Sequence, residues 1–501
     1  MGCQRSEHSR NTGVASIRHS FAWMTVANGS LFALQFVVSI LIARLLGPYE
    51  MGIFAIALSI VGMLSIFRSF GLGTYLIRAP ELDRPLLATL FTINAALALV
   101  IALAILLLSA VGGALLKEPG VRDLLLILAI SPVIGIFDFI PASGIERRGE
   151  FRSVALVNVF RYSIANVATL YFAYSGHGYM SLGYGQIISA VISAALNNLF
   201  GRRLIVIEFG LQHWRDVMRF GTQMLTISMI GGLQGRISDL LLSKFLGLGA
   251  FGLFSRATSL TGVLWENIQA IILRVMIVDF AEQRRRKMSL RHSYLRLIQV
   301  LTGFLWPAFA GIAVVSGPLV ILLFGENWAG AIAPLSILSV SAALFVPIML
   351  AWDIFVISNE TARQTRIEII RAPISLGLFA IGCLISLEAA AAMKIVEAVM
   401  MFLFYRPHLE RLTDTRWADY ASIYGRSLLL TLAAVLPAGI AMTLCGWSAH
   451  APLPVVFTSV GAGVLAWACL LWFFEHPIFE EVRRVVARLR PTPAVAAAPP
   501  L

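Results

Sequence analysis

The strongest constraint on this chain is a series of long apolar stretches without charge. Residues 86–116 and 453–474 each run without a single Asp, Glu, Lys or Arg. About 20 such residues let a helix cross a ~30 Å hydrocarbon core. Inside lipid every backbone N–H and C=O must be satisfied within the chain, which leaves helices or closed barrels. Barrel strands alternate apolar and polar residues, whereas these runs are continuous. The chain therefore reads as an all-α polytopic membrane protein. Its 13% charged residues are about half the roughly 25% usual in soluble domains.

Apolar spans between charged, Gly or Pro breaks predict about 14 helices. They fall near 20–45, 49–72, 86–116, 121–143, 152–175, 178–201, 217–246, 250–278, 293–324, 328–358, 365–387, 390–405, 426–446 and 453–474. With the N-terminus inside, 28 of the 39 basic residues fall in or at the edges of inside segments and 2, Lys117 and Arg122, fall in or at the edge of the outside turn before 121. That bias predicts two cytoplasmic termini. The expected organisation is a cytoplasmic tail at 1–19, a six-helix bundle with its linker at 20–216, and a second at 217–425. Two further helices follow at 426–474. Beyond them lie a basic amphipathic helix at 475–490, suited to anionic inner-leaflet lipid, and a Pro/Ala-rich end at 491–501 expected to be disordered.

The two bundles are related by an internal repeat. Residues 43–64 and 243–264, at a constant offset of 200, share eight of 22 positions, among them Gly47/Gly247, Gly52/Gly252 and Ser59/Ser259. Weaker echoes follow at an offset of 210, in Glu150/Glu360 and Arg161/Arg371. Six helices separate the copies, so both halves start on the same side. This predicts a pseudo-twofold axis along the membrane normal and a central cleft, the plan of a transporter.

Several function classes are excluded or disfavoured. The four lysines, Lys117, Lys244, Lys287 and Lys394, are followed by Glu, Phe, Met and Ile, so no G-x-x-x-x-G-K-[ST] phosphate loop exists. The four cysteines lie far apart and the eight histidines form no H-E-x-x-H pair; neither a metal nor a cofactor is implied. Outer loops are only a few residues long, which counts against a membrane enzyme with catalytic groups gathered at one face.

A charge at mid-bilayer costs at least ~2.5–3.5 kcal/mol on insertion scales, so each needs a reason. Arg236/Asp239, Glu368/Arg371 and Lys394/Glu397 are spaced i,i+3 and can neutralise each other. Arg161 shares a polar helix face with Asn158, Tyr162, Asn166 and Thr169. Arg256, Glu266 and Arg274 lie on one predicted helix beside Arg236 and Asp239. The candidate substrate-binding set is Arg161, Arg236, Arg256, Arg274, Asn158 and Tyr162. Asp239 and Glu266 are the candidate ion-coupling residues. Nine basic residues against six acidic ones within the spans favour an anionic cargo, because the arginine fork suits phosphate oxygens.

Residues 39–78 contain A-R-x-L-G-P, G-x-F/Y-x-x-A and F-G-L-G in order, and 323–339 read LFGENWAGAIAPLSILS. In these segments the chain resembles the polysaccharide transporter (Wzx-type) branch of the multidrug/oligosaccharidyl-lipid/polysaccharide exporter superfamily. The resemblance covers about the first 420 residues. It implies flipping of undecaprenyl-pyrophosphate-linked oligosaccharide across a bacterial cytoplasmic membrane, for O-antigen, capsule or exopolysaccharide. It also implies membrane lipids, a polysaccharide polymerase and chain-length machinery as partners, and no nucleic acid. The alternatives are a cation-coupled small-molecule exporter on the same fold and a lipid II flippase.

Overall fold

The computed structural model describes residues 29–479 apart from 69, 116–117, 203–206 and 287, with the backbone alone described at 111–115, 226–231, 266–279 and 281. The expected tail at 1–19, most of the amphipathic helix at 475–490 and the end at 491–501 lie outside the described residues. So do the side chains of Glu266 and Arg274. The described residues are helical and contain no strand. Ten helices among them are long and apolar enough to cross a membrane, and the shorter Gly29–Leu45 is also apolar. The chain divides into two compact units, Met1–Ser255 and Arg256–Leu501.

The first unit contains α1 (Gly29–Leu45), α2 (Pro48–Ser65), α3 (Leu72–Arg78), α4 (Arg84–Leu115), α5 (Pro119–Leu128), α6 (Ile130–Arg147), α7 (Phe151–Tyr174) and α8 (Met180–Phe200). It ends within α9 (Trp214–Arg285). Proline opens α2 and α5, where its missing N–H has no intrahelical partner to lose. Leu72, Leu76, Leu90, Phe91 and Ile140 form a buried cluster that joins α3, α4 and α6. Val38, Ile42 and Leu46 pack with Ala173, tying α1 to α7.

Along α2 and α3 the backbone departs from the hydropathy reading. The span expected at 49–72 is broken: α2 stops at Ser65, a 3₁₀ turn follows at Ile66–Arg68, and Gly71 adopts φ 68 before α3 begins. A left-handed residue cannot continue a right-handed helix, and hydropathy carries no trace of such a backbone turn. At α9 the break expected between 246 and 250 is kept, as a kink between two helical halves. The break there is Gly247 alone, at φ 85 and ψ 170, a region essentially closed to residues with a Cβ.

The second unit contains the rest of α9, then α10 (Arg291–Val314), α11 (Ser316–Phe324), α12 (Ile332–Phe345), α13 (Ala351–Ile357), α14 (Thr361–Ile385), α15 (Leu387–Thr413), α16 (Trp417–Leu444) and α17 (Leu453–Phe473). Its core gathers Leu297, Leu301, Leu305, Ile354, Phe355 and Tyr405. The connector expected at 406–425 is nearly all helix. α15 runs on to Thr413, and α16 starts at Trp417 behind the Asp419 carboxylate, which accepts the Arg416 backbone N–H at 2.8 Å. Charged amphipathic turns look like loop to a hydropathy window, yet Leu409, Leu412, Tyr420 and Ile423 bury one face of this segment.

Candidate functional site

In the first unit the charges on α9 are met by small residues of α2. Arg236 pairs with Asp239 at 3.8 Å, and Ser59 Oγ donates to Asp239 Oδ2 at 2.7 Å. The guanidinium lies against Gly62, where a Cβ would come within 2.8 Å of Arg236 Cζ. Gly52, Ser59 and Gly62 are spaced by seven and three residues, so they share one face of α2. The missing side chains at the two glycines are what let α9 and its arginine approach.

α7 presents the polar face expected from its sequence. Arg161 lies over the Tyr162 ring at 4.3 Å. Its Nε is buried without a hydrogen-bond partner among the described residues, as is Nδ2 of Asn166. Asn158 is part-buried on the same helix. Thr169 faces α8 at Gly185, where a Cβ would sit 1.9 Å from its Oγ1. Nearby on α6, Asp138 accepts from Asn197 Nδ2 at 2.8 Å and from Ser193 Oγ at 3.3 Å.

In the second unit Arg256 is only 7% exposed. Its guanidinium carbon stands 5.0 Å from the Phe324 ring centroid and 5.3 Å from that of Trp328. These rings come from the 323–339 segment that carried part of the resemblance, and lie just before α12. Cation–π contact with two faces is worth about 0.5–2 kcal/mol or more in a dry setting, so Arg256 anchors this segment.

The densest charge cluster joins α14 and α15. The pairs expected at i,i+3 are both present: Arg371 with Glu368 at 2.5 Å and Lys394 with Glu397 at 2.8 Å. Arg371 Nη1 then reaches Glu397 Oε1 at 3.0 Å, fusing the pairs into one neutral network. The Tyr405 hydroxyl donates to Glu368. The side chains of Arg371 and Glu397 are 8% and 12% exposed; at that burial each charge requires its partner.

The sequence reading did not anticipate Ser59, Gly62, Trp328 or Tyr405 as partners of these charges. One signal was available: Lys394, Glu397, Met401 and Tyr405 follow a three-four-four spacing, which is one stripe of a helix. Arg371 touches two members of that stripe, Glu397 and Met401, with Met401 Sδ 3.8 Å from its Nη1.

Comparison with known proteins places this geometry. Residues 41–333, more than half of the chain, match the family described as "Polysaccharide biosynthesis protein". The chain is 26% identical over 324 residues to the lipopolysaccharide biosynthesis protein WzxC of Escherichia coli (strain K12), covering 64% of this chain and 66%, just under two thirds, of that relative. It is 23% identical over 487 residues to the succinoglycan biosynthesis transport protein ExoT of Rhizobium meliloti (strain 1021), covering 96% and 98%. Among solved structures, the lipid II flippase MurJ in an inward closed conformation superposes with a TM-score of 0.73 at 13% identity, over 91% of this chain and 100% of that one. An inward-facing multidrug resistance MATE family transporter of the MOP superfamily gives 0.58 at 16% identity, over 77% and 96%. At these identities the structural matches speak for the fold alone. A multi-pass membrane protein on the fold of MurJ and MATE transporters, the chain belongs to the polysaccharide biosynthesis protein family.

Proposed function

We propose that this protein flips undecaprenyl-pyrophosphate-linked oligosaccharide across the bacterial cytoplasmic membrane by alternating access, supplying surface polysaccharide assembly without covalent chemistry of its own. The observation that carries this reading is the near-full-length likeness to a succinoglycan biosynthesis transport protein. The bias of basic residues to one side supports cytoplasmic termini, and the duplicated segment supports alternating access. In this reading Arg161, Arg236, Arg256 and Arg274, with Asn158 and Tyr162, receive pyrophosphate or acidic sugar. Asp239 or Glu266 takes a driving cation. A polysaccharide polymerase and its chain-length machinery consume the product outside.

The test is a deletion strain whose lipid-linked sugars are extracted. The expected result is a complete undecaprenyl-pyrophosphate oligosaccharide held on the cytoplasmic side, with surface polysaccharide lost. Normal lipid-linked pools and normal surface glycan would remove the reading and bring the small-molecule exporter forward. For the site, normal flipping by an Arg256→Ala, Arg274→Ala double variant at equal expression would strike those two residues from it.

A further inference from the structure

The offset of 210 seen in the sequence is also visible in the backbone. Gly149 (φ 70) and Asn359 (φ 56) are both left-handed. The next N–H in each turn bonds back five residues, Glu150 to the Ile145 carbonyl at 3.3 Å and Glu360 to the Phe355 carbonyl at 2.9 Å. Gly149 and Asn359 themselves bond to the carbonyls of Glu146 and Val356 at 2.9 and 3.1 Å. Each partner again lies 210 residues from its counterpart. α7 and α14 therefore start in the same way, and Arg161 and Arg371 hold equivalent positions eleven residues into their helices.

Their partners are not equivalent. Arg371 is held by Glu368 three residues before it and by Glu397 on the next helix. The residue equivalent to Glu368 in the first unit is Asn158. Neither α7 nor α8 contains an Asp or Glu anywhere along its length. Asp138 of α6 is engaged with Ser193 and Asn197 instead. No carboxylate lies within 4 Å of Arg161 among the described residues, and the unpartnered buried atoms on its helix, Arg161 Nε and Asn166 Nδ2, are both donors. Among the described residues, what is missing at this place is an acceptor carrying negative charge. At a rise of 1.5 Å per residue, Arg161 stands about 15 Å along α7 from its first residue.

We infer that Arg161 is the anchoring residue of an oxyanion site on the α7 face, with Asn158 and Asn166 beside it, and that its ligand is the diphosphate of the lipid-linked cargo. The ligand stands where Glu368 and Glu397 stand in the other repeat. The choice of diphosphate rests on the flippase reading; the requirement for an oxyanion does not. Arginine offers parallel N–H donors to such a group.

The test uses the full-length protein in phosphatidylcholine nanodiscs and follows thermal unfolding, first with inorganic pyrophosphate and then with undecaprenyl diphosphate doped into the discs. The decisive variant is Asn158→Glu, which rebuilds in the first unit the pair that Arg371 makes with Glu368. It is expected to fold and to weaken binding of both probes at least tenfold. Arg161→Gln, which keeps shape and removes charge, is expected to do the same and replaces it should Asn158→Glu aggregate. Binding within twofold of wild type in both variants would overturn the site, as would a wild type that neither probe stabilises. Stabilisation by free pyrophosphate alone would uphold the oxyanion site and overturn the lipid-linked cargo, so the two readings fail separately.

Discussion

Gly52 and Gly252 meet backbone to backbone across the two copies of the repeat. A Cβ on Gly52 would sit 1.9 Å from the carbonyl oxygen of Leu248, and a Cβ on Gly252 would sit 1.9 Å from that of Pro48. Pro48 and Leu248 are themselves 200 residues apart, so the contact is reciprocal: each copy places the same carbonyl on the other copy's glycine. A twofold relation at this crossing needs a residue without a side chain in both copies, which accounts for the shared glycine.

Gly252→Ala is therefore expected to destabilise the protein by at least about 1–3 kcal/mol, the range for forcing extra carbon into a packed contact. The obstruction is backbone and cannot rotate away. Gly249, three residues earlier on α9, has nothing within 4 Å of a built Cβ, so Gly249→Ala should be neutral or slightly stabilising. Equilibrium unfolding of the two variants in detergent checks the contrast; equal effects would show that the crossing is not a tight contact.

The α14–α15 network should respond sharply to loss of one acid. Glu397→Gln leaves Arg371 and Lys394 facing a single carboxylate, Glu368, in a buried setting. A cost of about 3–5 kcal/mol is expected, as for other broken buried pairs. Adding Lys394→Met restores charge balance and should recover part of it. The measurement is a double-mutant cycle on unfolding free energy, and strict additivity would refute the network.

Arg256 holds its aromatic partners through a planar face. Arg256→Ala should cost about 1–2 kcal/mol from the lost contacts with Phe324 and Trp328. Arg256→Lys keeps the charge but loses the flat guanidinium, and is expected to recover less than half. Equilibrium unfolding of the two variants checks this order, and full recovery by Arg256→Lys would remove the planar contact.

Beyond α17, His476 provides a pH-dependent contact. Its Nδ1 accepts the Ile478 backbone N–H at 3.3 Å, its ring packs against Gly303, and its Nε2 is buried without a partner among the described residues. Burial, with the Arg426 charge adding to it, pushes the imidazole down from 6.5 to about 4. The unfolded chain therefore binds the proton more readily between these values. The stabilisation is fully present above about pH 6.5 and is lost as pH falls toward 4, amounting to as much as ~3 kcal/mol. Melting curves from pH 8 to 4.5 should show this loss in wild type, and His476→Leu should lack that component.

The helices, the i,i+3 pairs and the duplication were all legible in the sequence, because each depends on local periodicity or on self-comparison. Apolar runs of spanning length define helices whatever surrounds them, and residues three apart share a helix face in any fold. Gly47 and Gly247 marked the same break in both copies before any coordinates. Tertiary structure alone decided which helix meets which charge. Periodicity names the face a residue occupies but not the neighbour that covers it, so Ser59 as the donor to Asp239, Tyr405 as the donor to Glu368, and the Arg371–Glu397 bridge between two pairs could not be read from spacing. The same limit concealed the difference between Arg161 and Arg371. Their positions match in sequence, and only the packed helices reveal that one is neutralised by carboxylates while no carboxylate among the described residues reaches the other.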